Sequence, residues 1–359
     1  MEIASSGNNT AMTGTKRIEF IDAMRGFTMI LVVVCHVSGF CLGIESNIPS
    51  IHPYLYEFRM PTFFFISGFV LYKANQIWNA KFIVGFLKKK FPVQIITTAI
   101  FFLLFLKINH ITIIDGLYSE SKQGYWFTYC LFVYFVTYSI SRWVLNSLKI
   151  QGWLADFIII CIGFLFYTLF SVRSIYYSLP INNNIGSLLS LQHWGYYLFF
   201  TIGTLFKKHY IYIIDYLHKN HVILVCLAIF FGSNLFYDEL VASHINVFNL
   251  ITAITGIVIV FSFFEKYKDA FKKEKLIGKS LQYIGRRTLD IYLLHYLILP
   301  VNLLGLTSFL RDNPVPLIEF TISLVISLLV IVVCLILSAI LRMSPISSYL
   351  LFGVKKKIK

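Results

Sequence analysis

Arg25 and His36 stand at the two ends of "RGFTMILVVVCH", a stretch that is otherwise free of charge. They are 11 residues apart. At about 100° per residue that is close to three helical turns, so both side chains fall on one helix face, about 16 Å apart along the axis. Asp22, three residues before Arg25, lies on that face as well. The face therefore carries a fixed charge at one end and a titratable ring at the other. Arg25 also suits a membrane anchor that snorkels to the interface, and His36 a packed neutral histidine. An ionisable residue deep in an apolar run is nevertheless a site candidate by default, because burying it there without a cavity or a partner is costly.

Two further clusters have the residue types for chemistry. In "YEFRMPTFFFISGF" Glu57 and Arg59 enter a second apolar run just before Pro61. Spaced two apart, they do not face each other on a regular helix, so each needs another partner. Pro61 removes a backbone donor and can bend the helix beside a cavity. In "GRRTLDIYLLHY" Arg286, Arg287 and Asp290 precede His295, again a basic entry followed by a histidine. The other histidines fall in loops or at the ends of apolar runs, where solvation is the default. All six cysteines lie in or beside apolar runs without metal-ligand spacing and read as packing residues, Cys35 beside His36 included. No metal site is expected.

The elements that position these residues follow from composition. Of the 359 residues 57% are hydrophobic and only 13% charged, more apolar surface than one water-soluble core can hide. Runs of membrane-spanning length fall near 23-44, 54-73, 91-108, 125-141, 153-171, 190-206, 221-237, 245-264, 284-306 and 316-342. The expectation is an all-α polytopic membrane protein of about ten transmembrane helices, with both termini on the same side. With the N-terminus in the cytoplasm, 26 of the 31 basic residues fall on the inner side, among them an inner-loop group of Lys88, Lys89 and Lys90. That bias places both termini in the cytoplasm and the segments 45-53 and 238-244 outside. It also accounts for the net charge of +14 without nucleic acid, which is not expected as a partner. Residues 1-15 read as a disordered cytoplasmic tail, and 16-359 as a single transmembrane domain.

Five segments, "RIEFIDAMRGFTMILVVVCH", "FRMPTFFFISGFVL", "YWFTYCLFVYFV", "YYLFFTIGTLFKK" and "GRRTLDIYLLHY", occur in this order across almost the whole chain. Together they resemble the acyltransferase-3 family, bacterial inner-membrane proteins that O-acylate surface polysaccharides and other exported glycans. The resemblance implies an acetyl-CoA-dependent O-acetyltransferase of the bacterial cytoplasmic membrane, with Arg25 assisting the acyl-CoA donor and His36 the acyl transfer. It implies no cofactor beyond acyl-CoA as co-substrate. One departure concerns the donor. Where many relatives carry R-x-x-R before a proline, this chain has "FLKKKFP", and lysine offers a point charge in place of a planar fork.

On this reading Asp22, Arg25, Lys88, Lys89 and Lys90 form the donor end. His36 deprotonates an acceptor hydroxyl or carries the acyl group itself. Glu57 orients His36, Arg59 stabilises developing charge or the acceptor, and Trp126 and His295 are further candidates on the substrate side. The partners expected are acyl-CoA, a glycan or lipid-linked glycan acceptor, and membrane lipids. A secondary transporter is the rival reading, since it too has about ten spans and intramembrane charge, but "RMP" has no matching broken helix in the second half. The identity of the acceptor, and acetyl against succinyl, stay open.

Overall fold

The computed structural model describes residues 17–43, 50–235, 246–300 and 303–353. Among them there are helices and turns and no strand. The longer helices are α1 (Glu19–His36), α2 (His52–Leu71), α3 (Ala80–Ile108), α4 (Trp126–Ser147), α5 (Gly152–Ser171), α6 (Tyr197–Lys208), α7 (Tyr210–Leu217), α8 (Asn220–Leu235), α9 (Asn246–Lys266), α10 (Leu276–Arg286), α11 (Thr288–Ile298) and α12 (Pro316–Leu341). The tail at 1-15 and most of the segments 45-53 and 238-244 lie outside the described residues.

α1 is the central element and packs against α2, α9, α10, α11 and α12. Its residues are small or compact enough to be buried on most sides, including Ala23, Gly26, Thr28, Val33 and Cys35. The tightest crossing is with α10. A Cβ on Gly26 would overlap the Leu281 carbonyl, and one on Gly285 the Asp22 carbonyl, so only glycine lets the two backbones touch. Around α1 the interior divides into two large cores and a small cluster of Leu31, Phe58 and Phe230. One core joins α2, α4, α5, α6 and α9 through aromatic side chains such as Phe64, Tyr134, Tyr197 and Phe261. The other joins the second half of α1 to α3, α11 and α12.

Large apolar side chains also point outward. Phe157 and Leu165 on α5 and Val325, Leu329, Val332 and Ile336 on α12 are exposed along whole helix faces, as lipid-facing helices require. Five helices among the described residues are long and apolar enough to cross a membrane, or six if α7 and α8, which meet at 80°, count as one broken span. The protein is thus helical and multi-pass.

Two expectations about elements are corrected. Lys88, Lys89 and Lys90 do not lie in a loop, because α3 runs from Ala80 through to Ile108. Pro92 lacks the N–H that would bond four residues back, and the helix absorbs this by widening to a π-helical turn at Pro92–Ile96. The run 284-306 is not one helix. It breaks at Arg287 between α10 and α11, and α11 ends at Ile298, just before Pro300.

Candidate active site

Arg25, Met29, Val32, Cys35 and His36 form a stripe along α1, and this stripe is one wall of a cavity of about 1040 Å³. Because α1 is regular from Glu19 to His36, the two ends of the stripe stand about 16 Å apart. The cavity therefore lies along the helix, with Arg25 and His36 at different depths.

The Arg25 end is cationic. Lys73, from the turn after α2, and Lys90, from α3, line the cavity with Arg25. Lys90 crosses to α4, where its ammonium lies 4.8 Å from the centre of the Phe135 ring. Lys88 and Lys89 are exposed on the other side of the same helix. Asp22 is buried where α1 crosses α10, close enough to Arg25 to feel its charge, and is not part of the cavity wall. The Nε of Arg25 is closed to solvent and has no hydrogen-bond partner.

The His36 end is a hydrogen-bonded relay. His36 Nδ1 lies 3.0 Å from His295 Nε2, with the rings within 9° of parallel. His295, fully buried, has its Nδ1 2.9 Å from the Ile291 carbonyl. A carbonyl only accepts, so Nδ1 of His295 carries the hydrogen. With His295 neutral, its Nε2 holds a lone pair, and His36 donates to it through Nδ1. His36 Nε2 is then the basic nitrogen, and it accepts from the Tyr296 hydroxyl at 3.2 Å. Local geometry supports the arrangement. After His36 the chain makes a π-helical turn, Val37–Cys41, which is tied to α12 by Ser38 donating to Glu319 at 2.7 Å. Glu319 is 3% exposed and also accepts from Ser50 and Ser323, so the carboxylate is enclosed by hydroxyl groups.

Arg59 comes from α2 and also lines the cavity. It is buried, donates to the Val32 carbonyl on α1 and lies against the Tyr56 ring, yet its Nε has no partner. α2 continues as a helix through Pro61. Trp126 opens α4 at the cavity wall and stacks on His193, with ring centres 3.8 Å apart, and Tyr196 lies nearly parallel to it. The adjoining loop is held by Lys122, whose ammonium donates to the carbonyls of Leu117, Ser119 and Ser187. Burial lowers the Lys122 pKa to about 8, which leaves it charged at neutral pH.

The fold thus brings Arg25, His36, Arg59, Lys90 and Trp126 to one cavity, with His295 directly behind His36. Glu57 stands on α2, close to Tyr167 and Tyr196, and the ring bonded to Nδ1 of His36 is His295. Asp290, from the same segment, is taken up by Arg342 and Arg287 and faces away from this chemistry. Sequence reasoning did not single out Tyr296, Tyr196, His193 or Lys73. Tyr296 was signalled only by being next to His295; the others have no marked spacing.

The chain matches the family model described as an acyltransferase domain, Acyl_transf_3, over residues 18–341. Neither a curated protein nor a solved structure matches it. A match of that extent, on a helical chain that turns apolar faces outward, makes this protein a member of the acyltransferase-3 family of multi-pass membrane acyltransferases.

Proposed function

We propose that this protein moves an acyl group, acetyl by preference, from cytoplasmic acyl-CoA to a hydroxyl of an exported glycan or its lipid-linked precursor. The observation that carries this reading is the single cavity with cations at one end and a basic imidazole nitrogen three helical turns away. The phosphates of the donor sit at Arg25, Lys73 and Lys90 through charge-assisted bonds. The extended pantetheine arm follows the α1 stripe and brings the thioester to His36. An acceptor hydroxyl replaces the Tyr296 hydroxyl at His36 Nε2 and gives up its proton there as its oxygen attacks the thioester carbonyl. His295 accepts from Nδ1 throughout and keeps the imidazole in the tautomer that leaves Nε2 basic. The Arg59 guanidinium faces the negative charge that develops on the carbonyl oxygen. Collapse of the adduct breaks the carbon–sulfur bond, and the leaving CoA thiolate recovers the proton from Nε2. The flat surface of Trp126, His193 and Tyr196 suits the apolar face of a sugar ring.

The membrane arrangement belongs to the same reading: about ten crossings in a bacterial cytoplasmic membrane, both termini inside, and the donor end of the cavity on the cytoplasmic side. A cysteine placed in 45-53 should react with an impermeant label from outside the cell; labelling only from the cytoplasm would overturn this topology. The chemistry is tested with purified wild-type and His36→Ala protein, measuring acyl-CoA affinity and product together. General acid-base help is worth about 10² to 10⁴ in rate, so His36→Ala should bind donor normally and lose transfer by that factor. A fully active variant would refute the assignment. Mass analysis of envelope glycans with and without the protein identifies the acceptor and the acyl group.

A further inference from the structure

A second, smaller cavity of about 130 Å³ adjoins the cationic end of the first. Its wall is formed by Tyr72, Lys73, Asn75, Gln76 and Trp78 from the turn between α2 and α3, and by Tyr138 and Arg142 from α4. Lys73 lines both cavities. Trp78 and Tyr138 are buried and pack edge to face, with ring centres 5.5 Å apart, so the back of the chamber is rigid. The Nε of Arg142 is closed to solvent and has no hydrogen-bond partner, the same condition as Arg25 and Arg59 in the main cavity. Among the described residues no carboxylate pairs with Arg142. The nearby acid, Asp156, is already occupied, since Lys208 reaches both of its oxygens at 2.7 Å and His209 one of them at 2.9 Å. The chamber is therefore a small polar space with two cations, and the nearby acid is already paired with others.

We propose that this chamber binds a phosphate monoester, and that its ligand is the 3′-phosphate of the CoA donor. This rests on the donor reading given above and extends it to residues outside the main cavity. The phosphates of CoA come in two groups, a pyrophosphate in line with the pantetheine arm and a monoester that branches from the ribose. A main cavity with Arg25 and Lys90, and a side chamber with Arg142, joined by a shared lysine, have the same branching. Arg142 supplies the planar fork that "FLKKKFP" lacks, from a different helix. A phospholipid headgroup has the same phosphate chemistry, and the experiment separates the two sources.

The test compares acetyl-CoA with 3′-dephospho-acetyl-CoA as ligands of the full-length protein in detergent or nanodiscs. Wild type should bind acetyl-CoA about tenfold or more tightly, the worth of one charge-assisted arginine–phosphate contact. Arg142→Gln should bring that ratio close to one by weakening acetyl-CoA alone, and Arg142→Lys should keep part of it. If Arg142→Gln does not fold, Gln76→Glu on the turn offers a second route: a carboxylate at the chamber should shrink the ratio and leave dephospho-acetyl-CoA unaffected. Equal affinity of wild type for the two donors overturns the proposal and leaves a lipid phosphate or no phosphate in the chamber. A ratio that survives in Arg142→Gln overturns it too. If wild type binds neither donor, the donor reading itself fails and the chamber assignment falls with it.

Discussion

Two groups of arginines in this protein are treated in opposite ways. Near the end of α12, Arg342 holds both oxygens of Asp290, at 2.7 and 2.9 Å, while Arg287 and the Ser338 hydroxyl reach the same carboxylate. Arg342 also lies 4.4 Å from the centre of the Phe352 ring, so its charge, its donors and its flat face are all engaged. Arg25, Arg59 and Arg142 each keep a buried Nε without a partner, and each lines a cavity. A buried donor left unpaired costs about 1–3 kcal/mol. The fold that satisfies Arg342 so fully leaves an unpaired Nε on three other arginines, all of them cavity-lining residues. The first group holds helices together, and the second is set for binding.

The largest effect that separates the two groups is on stability. Asp290→Ala leaves Arg342 and Arg287 facing a dry gap, and breaking a buried pair from one side costs about 3–5 kcal/mol. Because the side chain of Arg342 is 16% exposed and that of Arg287 31% exposed, a loss near the lower end is expected, read as a fall in unfolding temperature in detergent. Arg25→Ala should cost less, since the buried Asp22 loses only a neighbouring charge and no hydrogen-bonded partner. Equal destabilisation by the two variants would erase the distinction.

The next effect is on binding. Arg25→Ala should weaken acyl-CoA about 10- to 100-fold, the range of a hydrogen-bonded charged contact. Asp290 variants that remain folded should bind the donor as wild type does. Isothermal titration of both proteins with acetyl-CoA reads the comparison directly, and normal donor affinity in Arg25→Ala would remove Arg25 from the donor site.

The contrast also shows what a single chain discloses before it folds. The Arg25 to His36 stripe could be read from sequence because helix geometry is local: an 11-residue spacing fixes both face and rise. The apolar runs were readable for the same reason, and five of them became helices long and apolar enough to cross a membrane, α1, α3, α5, α9 and α12. What failed depends on distant partners. His36 and His295 are 259 residues apart, and nothing in either segment marks them as neighbours. The 284-306 run hid a break because only its first residues, Ile284 to Arg286, belong to α10, and its apolar pattern does not show that α10 ends there while α11 runs on from Thr288 to Ile298. Arg142 could only be read as one more inner-loop charge until α4 placed it beside Lys73.

The smallest effect tests the comparison within three consecutive residues. Lys88, Lys89 and Lys90 have the same chemistry and, as a loop, would share the donor's phosphates about equally. On α3 they point in three directions about 100° apart, and only Lys90 lines the cavity. Lys90 also gives up solvent for the Phe86 and Phe135 rings, which fixes where its ammonium stands. Lys90→Ala should therefore weaken acetyl-CoA by a few-fold, about 1 kcal/mol, less than Arg25→Ala because an ammonium offers no fork. Lys88→Ala and Lys89→Ala, at exposed positions, should change donor affinity by no more than the error of the titration. Raising the salt concentration sharpens the reading, since screening acts strongly on exposed charges and weakly on enclosed ones. The deficit of Lys90→Ala should persist in high salt, and any residue of effect at Lys88 or Lys89 should vanish. Three equal deficits that disappear together in salt would mean a diffuse basic surface, and would take Lys90 out of the group of cavity-facing cations to which Arg25 belongs.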